Sequence, residues 1–232
     1  MDPIVGMESP RNPRNVFRSP SLVDRDNMQA LIMPGDHLGS VGNIPTSLED
    51  RFRRLEIEVS HSGHHLKLIG ESFSGRRQVL HECRVGLGSS EFPTPVGVYF
   101  VTHVYDQDPW WIPPPNRAWA AGQSPSRKVY GGVMAPLLKK RSVRTRGNPS
   151  EGSEDKIEGQ VRLEDYGYRF HGTNAPRSIG RNQSHGCVRM LPKDVKQVAE
   201  LIKEHVGTLD RLESVNGSFV LLKSPIRLNL VK

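Results

Sequence analysis

"RLEIEVSHSGHHLKLIGESFSGRRQVLHECRVGLG", residues 54 to 88, decides the fold class. In RLEIEVS, HHLKLIGES and RQVLHECRVGLG apolar residues recur at alternate positions, the period of a strand with one buried face, and Gly, Ser or Pro bounds each run. A fourth alternating run, VGVYFVTHV, follows at residues 96 to 104. Four strands at turn-length spacing predict a sheet and a mainly β fold. The 22 glycines and 18 prolines, set against 6% aromatic residues, favour many turns over a helical bundle.

The rest of the chain is read outward from that sheet. With 232 residues and 35% hydrophobic content, one good-sized core is expected. Residues 1 to 50 are rich in Pro, Asn, Ser, Gly and Asp, with only ALIMPG interrupting, and read as a flexible or loosely docked N-terminal arm. Residues 51 to 232 then form the domain. Within it, residues 106 to 165 lose the alternation and carry DQDPWWIPPPNRAWAAGQSPS and YGGVMAPLL, a composition that predicts a lid or binding loop, with Trp110 and Trp111 as its wall. PKDVKQVAELIKEHVG is the one clear helix: Pro192 suits its first turn, Val195, Val198, Ala199 and Ile202 form a buried stripe, and Gly207 supplies a stop. The ending SFVLLKSPIRLNLVK predicts two short strands broken by Pro225 and placed near an edge.

Charge and cysteine content narrow the function classes. A formal net charge of +7 invites a polyanion, but the basic residues lie in scattered groups, Arg51 to Arg54 and Lys139 to Arg146, without interleaved aromatics that stack bases. No nucleic-acid partner is expected. Two cysteines make a thin disulfide framework, and Cys83, inside an alternating strand, reads as a small buried hydrophobe. The opening MDPIVGMESPRNPRNVF reads without a secretory signal, and no apolar run reaches transmembrane length.

The second cysteine has different company. FHGTNAPRSIGRNQSHGCVRM, residues 170 to 190, gathers His171, His185 and Cys187 among glycine and proline breaks. A nucleophilic cysteine needs a base within hydrogen-bond reach, a group to orient that base, and amide donors for an oxyanion. His171 ends the strand YGYRFHG, and residues 172 to 186 are long enough to turn back and bring Cys187 beside it. The Gly172 carbonyl is placed to hold the imidazole by one nitrogen, and Gly186 permits a turn whose successive N–H groups converge. Zinc ligation by His171, His185 and Cys187 is the competing reading, weakened by the short H-x-C spacing and the lack of a second cysteine or acidic partner nearby. Two satisfied core histidines are another. A papain-like protease is excluded by order, since there the cysteine precedes its histidine.

HGTNAPRSIGRNQSHGCVRM resembles the signature of the L,D-transpeptidase catalytic domain (YkuD-like) family: His-Gly-Thr, then Ser-Ile-Gly, then Ser-His-Gly-Cys followed by an apolar residue and Arg or Asn. Upstream, FPTPVGVYFV is similar to the family's Thr-Pro-x-Gly segment, and DPWWIPPP and GGVMAPL resemble its substrate-facing segment. The likeness covers residues 54 to 232.

The resemblance implies a modified β-sandwich with one short helix after the cysteine loop. It also implies action on peptidoglycan stem peptides, as donor and acceptor, in the cell envelope, periplasm or extracellular wall. Carried over by position, Cys187 is the nucleophile and His171 the general base oriented by the Gly172 carbonyl. Gly186 and Cys187 supply oxyanion amides, and His185 lines that region. Ser184 supports the turn and, with Arg189, Trp110 and Trp111, faces substrate; Arg189 would meet a stem-peptide carboxylate through its planar fork. Thr173 braces the loop. No metal or organic cofactor is implied. A carboxypeptidase using water, a noncatalytic peptidoglycan-binding module and a polyanion binder are the alternatives.

Overall fold

The structure, a computed structural model, describes residues 52 to 143 and 160 to 232. The expected arm over residues 1 to 50 and the polar stretch from Arg146 to Gly159 lie outside the described residues. The predicted strands appear as β1 (Arg54–Ser60), β2 (His65–Glu71), β3 (Arg77–Arg84) and β5 (Gly97–Val104), with a two-residue β4 (Leu87–Gly88) between the last two. Leu55, Ile57 and Val59 are buried while the intervening Glu56 and Glu58 are not, as the alternation requires.

Six further strands follow: β6 (Met134–Val143), β7 (Gln160–Gly172), β8 (Asn182–Ser184), β9 (Val188–Met190), β10 (Thr208–Ser214) and β11 (Gly217–Val231). The main sheet runs β3-β2-β1-β11-β5-β6-β7-β9, with β10 also paired to β11, while β4 and β8 form a small parallel pair. Within the main sheet β1 pairs β11 and β7 pairs β9 in parallel; the other pairs are antiparallel. The sheet curls until its two ends meet, because Gly86, just past β3, exchanges two 2.8 Å main-chain hydrogen bonds with Arg189 of β9.

The helix α1 (Pro192–Val206) lies inside the curl against β7, β11 and β3, burying Val195, Val198, Ala199 and Ile202 completely. Those residues join Ile57, Leu68, Tyr99, Val101, Leu137, Phe170, Val188, Met190 and Leu228 in one core. Each fully buried aliphatic side chain contributes roughly 1.5 to 3 kcal/mol, so the stripe on α1 is ample to hold the helix in place. Among the described residues no helix is long and apolar enough to cross a membrane. Among the described residues the fold is mainly β with one α-helix, which follows the cysteine loop.

Two sequence expectations are corrected, and one residue type explains both. The tail forms a single strand, β11, that runs between β1 and β5 rather than at an edge, and its register to β5 shifts between Leu221 and Ile226. Pro225 sits in that bulge, exposed, where its missing N–H interrupts no ladder. The 106 to 165 stretch likewise contains β6 and the start of β7, so the loop proper spans residues 106 to 133. Pro136 falls beside the register shift between Pro136 and Leu138. Prolines at bulges are compatible with long strands: reading Pro225 as a break shortened β11, and the loss of alternation around Pro136 hid β6.

Candidate active site

Strands β7 and β9 have two faces with different fates. Phe170 pairs with Val188, and both, with Met190, point into the core beneath α1. Paired residues of neighbouring strands share a face, so the next pair, His171 and Arg189, points to the opposite side. One step back along the same register, Cys187 stands across from Arg169. The opposite face therefore collects Arg169 and His171 from one strand and Cys187 and Arg189 from its neighbour. Tyr105, Tyr130, Met134 and Phe219 form a small apolar cluster on this side, with Trp111, Val129 and Leu221 packed against it.

His171 is 4% exposed, and its Nδ1–H donates to the Gly172 carbonyl, which leaves Nε2 as the nitrogen able to take up a proton. The Tyr130 ring meets the imidazole edge-on at 5.0 Å. Burial, reinforced by the Arg189 and Arg169 charges and only partly opposed by the Gly172 carbonyl, lowers the His171 pKa from 6.5 to about 4. Cys187 is partly accessible and free of any disulfide. Burial pushes its thiol up, while the Arg169 charge, the Arg169 main-chain N–H and the Arg189 charge pull it down. Both dominant effects favour uncharged partners, so at neutral pH the site rests as thiol and neutral imidazole.

The turn before Cys187 is held from within. Ser184, 2% exposed, donates from Oγ to the Cys187 carbonyl at 2.6 Å and accepts from the Gly186 N–H at 3.1 Å. The Ser184 hydroxyl thus both donates and accepts within the turn, and the Gly186 N–H is a donor already in use. Gly186 has φ of +104°, and a Cβ there would lie 2.7 Å from Tyr168 Cε1, so the turn admits no other residue without movement. Thr173 is buried and its Oγ1 accepts from the Ala175 N–H, bracing the loop on the far side. A Cβ on Gly172 would meet the Tyr130 and Gly131 carbonyls at 2.8 and 2.7 Å, so the 106 to 133 loop is pressed backbone to backbone against the histidine strand.

His185 points away from this interior. Exposed at the surface, it stacks on Trp119 at 4.0 Å and 15°, with Phe92 at 4.9 Å. Trp119 in turn stacks with Trp111 at 6.2 Å, and Trp110 carries the Arg127 guanidinium over its ring at 4.7 Å. Of the tryptophans in the 106 to 133 loop, Trp119 is the one in contact with the cysteine turn, while Trp111 packs behind it and Trp110 meets Arg127. With His185 turned outward, His171, His185 and Cys187 form no ligand set, and among the described residues no group of three potential ligands is placed to hold a metal ion. Arg189 is half-buried, and among the described residues it enters no ion pair.

Sequence reading missed Trp119, Phe92, Tyr130 and Arg169. For Arg169 a signal existed: it stands two residues before His171 in a strand and must share its face. Nothing in the sequence pairs Phe92 with Trp119.

Comparison with known proteins locates this arrangement. The sequence profile of the L,D-transpeptidase catalytic domain, YkuD, matches residues 55–217. Over 35 residues the chain is 51% identical to the Bacillus subtilis (strain 168) protein YkuD, assigned as an L,D-transpeptidase, and the match covers 15% of this chain and 21% of that protein. The Bacillus licheniformis counterpart is 49% identical over the same length. The chain thus matches about a fifth of the length of these curated relatives. Among solved structures, an L,D-transpeptidase of Enterococcus faecium aligns with 77% of this chain and 50% of its own, at 14% identity and a TM-score of 0.43. One from Mycobacterium smegmatis aligns over 76% and 58%, at 12% identity and a TM-score of 0.40. Because the family profile spans residues 55–217, well over half of the chain and including the histidine and cysteine strands, the chain belongs to the L,D-transpeptidase catalytic domain (YkuD) family.

Proposed function

We propose that the protein is a cysteine acyltransferase acting on peptidoglycan stem peptides, an L,D-transpeptidase of the cell envelope. The observation that carries this reading is the shared face of β7 and β9, with His171 held through Nδ1 by the Gly172 carbonyl and Cys187 on the neighbouring strand. A thiol and a neutral imidazole are the resting partners, so the imidazole acts as general base at the moment of attack. The Cys187 proton passes to His171 Nε2 as sulfur bonds to the carbonyl carbon of the third stem residue. The oxyanion is met by the Cys187 N–H, with the Gly186 N–H shared between it and Ser184 Oγ. When the carbon–nitrogen bond breaks, the imidazolium gives its proton to the departing D-Ala amine and a thioester remains. An acceptor amine then attacks the thioester and yields its proton to His171, which returns it to the leaving thiolate.

Arg189 supports a carboxylate-bearing donor. Its guanidinium is on the Cys187 face, half-buried and without an ion-pair partner among the described residues, which suits bidentate capture of a stem-peptide carboxylate. Trp110, Trp111 and Trp119 would wall the peptide cleft, with His185 fixing the loop to the turn. The test is intact-protein mass spectrometry after mixing the chain with a disaccharide-tetrapeptide, alongside Cys187→Ala. A tripeptide-acyl adduct on wild type alone, with free D-Ala, is the expected result. A folded protein that forms no adduct and releases no D-Ala would overturn the acyltransferase reading in favour of a peptidoglycan-binding module. Release of D-Ala with only tripeptide as product, whatever amine is offered, would identify water as the acceptor.

A further inference from the structure

We infer that Arg169, clamped by Asp165 across a bulge in β7, is a positioning residue that holds a fixed positive charge beside the Cys187 sulfur and sets how readily the thiol gives up its proton. The inference rests on Cys187 being the reactive thiol of the proposed function.

The geometry begins with the bulge. The register of β7 to β6 shifts opposite residues 165 to 169, and the Gly167 N–H folds back to Asp165 Oδ1 at 2.8 Å. That bend brings Asp165 alongside Arg169, which donates to both carboxylate oxygens, at 2.6 Å to Oδ1 and 2.8 Å to Oδ2. A third bond runs from the guanidinium to the Tyr168 carbonyl at 2.8 Å. Three of the five guanidinium N–H donors are thus engaged and both terminal nitrogens are paired with Asp165, so the bidentate fork of Arg169 is already occupied by a carboxylate, unlike that of Arg189. Its role at this site is electrostatic.

The pair is also lopsided. The Arg169 side chain is 18% exposed and that of Asp165 is 42% exposed, so water screens the carboxylate more than the guanidinium. One step back along the register, Arg169 stands across from Cys187, and its main-chain N–H acts on the thiol in the same direction as its charge. Among the charges acting on Cys187, Arg169 is the largest that favours the thiolate, ahead of Arg189, and Asp165 opposes it weakly. His171 supplies no such charge, because burial keeps it neutral. The other titratable groups on this face are Arg189 on β9, Tyr130 on the loop and His103 and Tyr105 at β5. Burial holds both tyrosines and His103 uncharged at neutral pH. Arg169 and Arg189 are thus the two standing cations, and in the proposed function Arg189 is neutralised once the donor carboxylate binds. Arg169 is then the cation that remains.

The experiment is the pH profile of Cys187 alkylation by iodoacetamide, read by peptide mapping on the full chain, for wild type, Arg169→Met, Arg169→Lys and Asp165→Asn. Arg169→Met keeps an unbranched apolar stem and removes the charge. It is expected to move the inflection to higher pH and slow alkylation about tenfold at pH 7, with the alkaline plateau unchanged. Arg169→Lys should restore most of the rate, and Asp165→Asn should move the inflection to lower pH. An unmoved inflection in folded Arg169→Met overturns the inference, as does a lowered plateau without a shift, which marks a structural role. If Arg169→Met does not fold, an Asp165→Asn profile that coincides with wild type overturns it equally. The acyl-adduct assay on wild type separates the two claims: an adduct with an unmoved profile leaves the acyltransferase standing without this inference, and a shifted profile without an adduct does the reverse.

Discussion

Cys83 and Cys187 are the same side chain in two enclosed places, and their neighbours make them different reagents. Cys83 lies on β3 facing the core at 9% exposure, where burial pushes its thiol up to about 12 and the nearby Asp194 and Glu82 carboxylates push the same way. Cys187 is also pushed up by burial, but Arg169, its main-chain N–H and Arg189 all pull against that. Enclosure alone makes a thiol inert. Under the proposed function, enclosure on a face shared with guanidinium charge and an unprotonated imidazole makes one that can be switched on during a reaction.

The largest effect that would test this contrast comes from removing the base. His171→Ala should lower tripeptide-adduct formation by on the order of a thousandfold, while Cys83→Ala leaves the adduct rate unchanged and only loosens the core. If the two variants lost adduct formation equally, the distinction between the cysteines would collapse.

Acid provides the next test. His171 and His103 both have pKa values lowered from 6.5 to about 4, so the unfolded chain binds more protons than the folded one between those values. Stability from this source is complete above pH 6.5 and is lost as pH falls through about 4, on the order of 3 kcal/mol for His171. Thermal melts from pH 7 to pH 4 should show the loss, and His171→Gln should shrink it. A melting temperature flat across that range would show that the site face is less enclosed than the Cys83 face.

A smaller change sharpens the role of the turn. Gly186→Ala places a Cβ against Tyr168 at a φ of +104°, and should cost roughly 1 to 3 kcal/mol in urea unfolding. Adduct formation should fall with it, because the cysteine amide moves. The smallest effect is expected from Trp119→Ala, which removes the stack on His185, about 1 kcal/mol of ring contact. Iodoacetamide should then reach Cys187 a few-fold faster with Cys83 unaffected; equal acceleration at both thiols would mean general loosening instead.

How much of this was legible follows from the range of each interaction. The alternation in residues 54 to 104 and the stripe Val195, Val198, Ala199, Ile202 are local patterns that burial must respect, and the sheet and α1 were readable from them. The His171 contact with the Gly172 carbonyl joins sequence neighbours, so adjacency was enough to anticipate it. The long strands β6 and β11 were not readable, because a proline looks the same in a bulge and in a break, and only the partner strand decides. The Asp165–Arg169 clamp was hidden by the bulge that makes it, since an unbroken strand would hold the two side chains apart. Trp119 on His185 joins two loops distant in sequence, and no periodicity announces such a contact.

The closure of the curled sheet through Gly86 and Arg189 has a consequence for the lifetime of the site. Strand β9 has only three residues, yet it is flanked on both sides, by β7 along one edge and by the chain after β3 along the other. A strand so enclosed cannot fray by itself; its amide hydrogens should exchange with solvent only when the ends of the sheet separate. Cys187, carried at the mouth of that strand, should therefore keep its alignment up to the melting transition and lose it in the same step, so that heat inactivation and unfolding trace one curve.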